Sequence, residues 1–278
     1  ITMAVYGVLA AVLFYVTFAT TRERVQPAPG SPTSLKNDLK DLGKNRPWLV
    51  LLVMSIASLA YAIIRTGSIM YYFKYYIGNE DQAAAFMVSG TVAIILGVAS
   101  TQYLSSRIGK RRLYILAMGT TTVLTCLLFF VPREQIVLIF ALNIVTMLFM
   151  APQAPLIWAM YADTADYSEW KNRRRATGLV FSAATFAQKF GIALGGGAAG
   201  WLLAGFGFEA NVEQGPETLR GIRLMMSFIP AVTSLIATVA AMFYELDDGT
   251  MARIEHELEL RKASVADPAD PVTDPGRS

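Results

Sequence analysis

The chain has 278 residues, 54% of them hydrophobic and only 16% charged, whereas an ordinary soluble domain carries about 25% charged residues. One cysteine (Cys126) and one histidine (His256) exclude an intramolecular disulfide and a His/Cys metal centre. The net charge of +3 does not point to nucleic acid, because the basic residues gather in the gaps between apolar runs.

Seven such runs follow one another, at 1–20, 47–76, 82–104, 113–131, 135–160, 176–206 and 221–244. Each supplies the roughly 20 residues, or more, that a helix needs to cross a bilayer core of about 30 Å. Buried helices of a soluble protein would be shorter and interleaved with polar amphipathic helices, but here only the intervals 21–46 and 245–278 are long. The pattern predicts an all-α polytopic membrane helix bundle. The first run has no basic n-region and no starting Met, so it is not a secretory signal; it reads as the middle of a longer protein.

The connector 21–46 opens with the loop-forming Gln26-Pro-Ala-Pro-Gly-Ser-Pro32. Leu35, Leu39 and Leu42 then recur at helical spacing among charges, which predicts a short helix on the membrane surface. Pro47 restarts the chain as a span. Arg65 stands within it, with Ser58, Tyr61, Ser68 and Tyr72 on the same face. A polar stripe on an apolar helix is the expected lining of an aqueous pathway, and structural pairing of Arg65 with a backbone carbonyl is the alternative. The run Tyr71-Tyr-Phe-Lys-Tyr-Tyr76 predicts an interfacial aromatic belt, with Lys74 anchored to headgroups by its long stem.

Further on, Pro152 and Pro155 predict a break in the fifth run. The acids Asp163, Asp166 and Glu169 precede Lys171 and Arg173–Arg175, which predicts a charged corner between two helices, with 161–170 as loop. In the tail, Met251, Ile254 and Leu258 share a helical face, and the Asp/Pro-rich end beyond Ala266 reads as disordered.

Lys and Arg alternate strictly from gap to gap. Six fall in 21–46, four in 107–112, four in 171–175 and four in the tail, against three (Arg133, Arg220, Arg223) in the intervening gaps. The positive-inside rule puts the basic gaps and the C-terminus in the cytoplasm.

Lys189 lies fourteen residues past Arg175, about 21 Å along a helix axis, which is too deep to reach the interface easily. A cation there is normally paired or faces a cavity, yet no Asp or Glu occurs in any of the seven runs. Its partner is expected from another protein segment. Ser182 and Thr185 share its face, continued by Gly196 and Gly200. They suit a small polar ligand, or Thr185 simply bonds its own backbone. The run Gly195-Gly-Gly-Ala-Ala-Gly200 matches the dinucleotide pattern G-x-G-x-x-G, but no strand precedes it, so close helix packing is the expected use.

Asp163-Thr-Ala-Asp-Tyr-x-Glu169, Arg175, and Lys189 with Gly191 together strongly resemble the glycoside–pentoside–hexuronide:cation symporter family of the major facilitator superfamily. Asn45-Arg-Pro47, Tyr71–Gly78 and Asp247-Asp-Gly-Thr-Met251 resemble it too. The resemblance implies the C-terminal half of a twelve-span fold. In that fold 1–20 is the sixth span, 21–46 the central cytoplasmic loop, 47–244 a six-helix bundle and 245–278 a cytoplasmic tail. It implies symport of a sugar or glycoside with Na⁺ or H⁺ by alternating access in the inner (plasma) membrane. No resident cofactor is implied, and the partners are the bilayer and a missing N-terminal half. It further places Lys189 and Thr185 beside the cation site and Asp163, Asp166 and Arg175 in a cytoplasmic gate. An aromatic of the family's tenth span falls at Ala154 here, a departure that bears on substrate.

The substrate and cation pathway is thus expected to involve Lys189, Thr185, Ser182, Arg65 and Tyr61. An intramembrane enzyme would need a nucleophile or metal cluster that the runs lack. The remaining alternative is a transport-incompetent structural or regulatory half-transporter.

Overall fold

The computed structural model describes residues 2–21, 40, 42–172 and 177–266. They form ten α-helices: α1 (Thr2–Thr20), α2 (Arg46–Tyr71), α3 (Asp81–Ile108), α4 (Lys110–Leu127), α5 (Ile136–Met150), α6 (Gln153–Asn172), α7 (Thr177–Gly205), α8 (Pro216–Met226), α9 (Phe228–Met242) and α10 (Asp248–Ala266). No β-strand occurs among them.

The chain divides into two units, residues 1–34 and 35–278. The first contributes α1, whose Thr17 and Thr20 hydroxyls donate to the carbonyls of Leu13 and Val16, each at 2.8 Å, so these hydroxyls need no partner outside the helix. Its apolar part, Val5–Thr20, is shorter than a full span, and six other segments are long and apolar enough to cross a membrane. These are Arg46–Ile77, Asp81–Ile108, Lys110–Phe130, Ile136–Asn172, Thr177–Gly205 and Pro216–Met242. Where the sequence predicts seven spans, six reach full length in the described residues.

Within the second unit α2 is the central helix, packed on α7 and α9, while α9 also packs on α4 and α3 on α5. Local chemistry sets its ends. Asn45 caps it by accepting the Trp48 N–H at 3.2 Å, and Pro47 occupies its first turn, where a missing N–H costs nothing. At its far end the hydrogen bonding widens into a π-helix, Tyr72–Ile77, which stops at Gly78 with φ of 80°. Gly109, with φ of 87°, makes the tight corner between α3 and α4. The guanidinium of Arg111 donates to the carbonyls of Ala241 and Met242, satisfying the exposed C-terminal end of α9.

Two cores result. One lies at the end of the bundle rich in basic residues and includes Trp48, Leu51, Tyr114, Met118, Tyr161 and Tyr244. The other lies at the aromatic end and includes Tyr72, Phe73, Phe86, Ile139 and Met225. Along α2 the first core ends at Ala57 and the second begins at Ile69. The polar residues of α2 sit between them.

Two expectations are corrected. Residues 161–170 are not a loop: they continue α6, with Tyr161, Asp163, Thr164, Ala165 and Ser168 buried. The alternation of small and polar residues in Ala162–Ser168 hid a helix whose inner face packs on the bundle. The fifth run does break near its prolines, at Ala151–Pro152, but α6 resumes at once. By contrast the tail behaves as its periodicity predicts. Met251, Ile254 and Leu258 are buried in the basic-end core, and α10 packs on α6. The surface helix expected before Asn45 falls mostly outside the described residues, although Leu42 is buried in the same core.

Candidate functional site

On α7, Val180, Ala184, Ala187, Gly191, Gly195 and Leu203 are buried. Ser182, Thr185 and Lys189 lie on another face, and all three are exposed. Lys189 is the thirteenth residue of a 29-residue helix, near mid-span, and it makes no ion pair among the described residues. The Thr185 hydroxyl donates to the Phe181 carbonyl at 2.9 Å, which leaves its lone pairs directed outward.

The buried stripe explains the glycines. A Cβ on Gly191 would lie 2.9 Å from the Ile56 carbonyl oxygen, and one on Gly195 would lie 3.0 Å from Ile63 Cβ. Gly196, Gly197 and Gly200 have open space. The glycine run is helix-packing chemistry on one side only.

Beside this face lies a notch of about 100 Å³ between α2, α6 and α7, lined by Ser55, Leu59, Gln153, Ala154, Trp158 and Gln188. Trp158 is 40% exposed and runs parallel to Phe181, with 6.1 Å between ring centroids and 12° between planes. Gln153 Nε2 donates to Ser58 Oγ at 2.9 Å, which fixes the amide. Ala154, where the family's aromatic falls, is exposed at the rim, and Trp158 stands one turn further along the same helix. The indole face and neighbouring amides offer an apolar surface beside hydrogen-bonding groups, but at about 100 Å³ the notch is well below the roughly 300 Å³ of a pocket for an organic ligand and is one wall of such a site, not a whole one. Composition alone missed Trp158, Gln153 and Gln188, since Trp158 and Gln188 each occur singly in their runs and Gln153 shares its run only with the distant Gln135.

Tyr61 and Arg65 are not on the exposed face. Tyr61 is fully buried, its hydroxyl 3.1 Å from Thr125 Oγ1. Arg65 is 3% exposed. Its Nη2 donates to Asn143 Oδ1 at 3.0 Å, and Asn143 Nδ2 donates to the Phe86 carbonyl at 3.0 Å. Ser58 and Ser68 donate to the carbonyls of Met54 and Ile64 in their own helix. This stripe therefore joins α2 to α4 and α5, and through Asn143 to α3, inside the bundle; Arg65 meets the Asn143 side chain, not the backbone carbonyl of its alternative reading. Asn143 was missed, although it is the only amide in α5, where Thr146 is the one other polar residue.

At the basic end, Lys110 Nζ lies 2.7 and 2.5 Å from the two carboxylate oxygens of Asp163, which is 7% exposed. Asp163 thus pairs within the bundle. Asp166 is half-buried, and Arg175 lies outside the described residues. Lys74, at the opposite end, donates to Asn211 Oδ1 at 3.0 Å and lies 3.8 Å from Glu80. Both partners belong to this chain, so its contacts here are to protein groups and not to the headgroups it was expected to reach.

Six apolar helices of spanning length, an interior of inter-helix hydrogen bonds and a polar mid-span face define a multi-pass membrane protein. A sequence profile of the family described as MFS/sugar transport protein matches residues 1–248. The chain belongs to that family, which is one of transporters rather than enzymes. It is 30% identical over 262 residues to the inner membrane symporter YicJ of Escherichia coli (strain K12), covering 94% of this chain and 57% of that one. It is 32% identical over 265 residues to YagG of the same strain, covering 94% and 57%. It is 31% identical over 245 residues to the isoprimeverose transporter of Lactiplantibacillus pentosus, covering 87% and 51%. The chain spans little more than half the length of these curated relatives.

Proposed function

We propose that the chain is the C-terminal half of a secondary active transporter that carries a sugar or glycoside together with Na⁺ or H⁺ by alternating access. The observation that carries this reading is the exposed mid-span face of α7. Lys189, Ser182 and Thr185 stand there without a counter-charge among the described residues, beside the Trp158 notch. A cation exposed at that depth is tolerated where it faces water or a protein anion rather than lipid, and a second half packed against this face would supply either. Names of relatives support the same class: one is called a symporter and another an isoprimeverose transporter. The family resemblance of Lys189 and Thr185 supports a coupling-cation site near them. Basic residues at one end and aromatic residues at the other support a cytoplasmic C-terminus in the inner membrane.

The test is uptake of a panel of radiolabelled glycosides by proteoliposomes containing the full-length protein, with and without a Na⁺ gradient and with and without a pH gradient. Accumulation of one glycoside driven by one of the two gradients is expected. Facilitated equilibration indifferent to both gradients would remove the coupling, and absence of uptake across the panel would remove the substrate class.

A further inference from the structure

Arg65 poses a physical problem that symport does not solve. A guanidinium stays charged at any accessible pH, and this one is buried in the segment Arg46–Ile77. Its contacts are neutral: Asn143 Oδ1 at 3.0 Å and, weakly, Met147 Sδ at 4.0 Å. Its Nε is buried with no partner among the described residues. No carboxylate pairs with it among the described residues, and a buried charge without a counter-ion is strongly disfavoured.

The surroundings are built rather than incidental. Because Asn143 Nδ2 is committed to the Phe86 carbonyl, its amide oxygen is fixed toward the arginine. Next to the pair lies a cavity of about 120 Å³, lined by Arg65, Thr66, Gly90, Thr91, Asn143 and Met147 among others. Gly90 makes the room: a Cβ there would lie 3.0 Å from Asn143 Nδ2 and 3.1 Å from Met147 Cγ. Thr66 and Thr91 are exposed at the rim, so the cavity has a polar mouth. It falls well below the roughly 300 Å³ at which pockets for organic ligands begin, while one water takes about 30 Å³. It has room for a single small charged group with one or two waters.

We propose that this cavity binds a small monovalent anion, a halide or a carboxylate, which supplies the counter-charge that Arg65 lacks. The free Nε–H and the Thr66 hydroxyl donate to it, while the Thr91 hydroxyl is committed to the Met87 carbonyl at 2.9 Å, and Asn143 keeps the guanidinium turned toward it. The site is separate from the Lys189 face and stands or falls independently of sugar transport.

Thermal unfolding of the full-length protein in detergent tests it. The reference is sodium HEPES, whose anion is too bulky for the cavity, with total sodium held constant. Sodium chloride, sodium acetate and sodium glucuronate are titrated in, and glucose is the uncharged control. A saturable rise in unfolding temperature is expected with at least one anion and not with glucose. A response to chloride or acetate identifies a free ion as the occupant; a response to glucuronate alone identifies the carboxylate of a larger solute. Arg65→Gln should raise the half-saturating concentration by at least about tenfold, which corresponds to about 1.4 kcal/mol. Should Arg65→Gln fail to fold, Asn143→Asp carries the test, because it installs a permanent carboxylate beside Arg65 and should make a folded protein indifferent to anions. No saturable response in the wild type, or an unchanged response in the variants that fold, overturns the site.

Discussion

Lys110 and Asp163, 53 positions apart, meet at 2.5 Å across the basic end of the bundle. The pair ties the first turn of α4 to the middle of α6. Nearby, a Cβ on Gly109 would lie 2.8 Å from Asp248 Oδ2, so the start of α10 closes on the same corner. With 9% of the Asp163 side chain and 29% of the Lys110 side chain exposed, removing one partner leaves a largely desolvated charge. Lys110→Met and Asp163→Asn should each destabilise the protein by about 2–3 kcal/mol, below the full buried-pair range because the lysine is partly wet. The double substitution should cost less than the two singles together. A double-mutant cycle on unfolding midpoints in detergent measures the coupling, and strict additivity would mean that the pair contributes nothing.

Alanine substitutions in α7 should divide by face. Gly191→Ala and Gly195→Ala push a methyl into the α2 backbone and side chains and should cost about 1–3 kcal/mol. Gly196→Ala and Gly200→Ala meet open space and should stabilise the helix by about 0.5–1 kcal/mol. If the second pair leaves stability intact but abolishes uptake, their face is a contact or passage surface in the full-length transporter. Equal losses of stability at all four positions would contradict the packing described above.

Much of this was legible beforehand because a bilayer imposes a simple rule: long apolar runs become helices, and six of the seven runs reach spanning length among the described residues. The tail face of Met251, Ile254 and Leu258 was legible for a similar reason, since three apolar residues at helical spacing in a polar stretch have few other uses. The helical course of 161–170 was not, because its charges imitate a loop and only the packing of Tyr161 and Asp163 shows otherwise. Partners were harder still. Arg65 announced itself by its cost, but Asn143 lies 78 positions away, and nothing local links the two. Lys110 hid among four basic residues that topology already explained.

The tail should loosen in acid. Asp247 stands just before α10, and its carboxylate accepts the Thr250 N–H at 2.8 Å. The hydroxyl and the N–H of Thr250 hold this carboxyl below its ordinary range. A carboxyl whose pKa is lowered by folding adds stability above its unfolded value, near 3.9, and loses it as pH falls through the lowered folded value. Amide exchange in the first turns of α10 should therefore accelerate below about pH 4. Asp247→Ala should show the faster exchange already at neutral pH. The effect is modest, since the group is exposed, and α10 stays docked through Met251, Ile254 and the Trp170 Nε1–H to Glu257 hydrogen bond at 2.6 Å.

Lys189 separates a functional charge from a structural one. It is exposed and makes no ion pair among the described residues, so nothing in the bundle depends on it for stability. Lys189→Leu should leave the unfolding temperature unchanged or slightly raised, since it removes a poorly compensated cation. Uptake should fall by at least about tenfold, the kinetic equivalent of losing about 1.4 kcal/mol. Lys189→Arg keeps the charge but not the compact ammonium, and should retain part of the activity with an altered dependence on the coupling cation. Full uptake in the leucine variant would show that the charge on this face takes no part in transport. A large loss of stability would show instead that the lysine is paired with a segment packed against α7, and that its role is to hold the halves together rather than to couple the ion to the sugar.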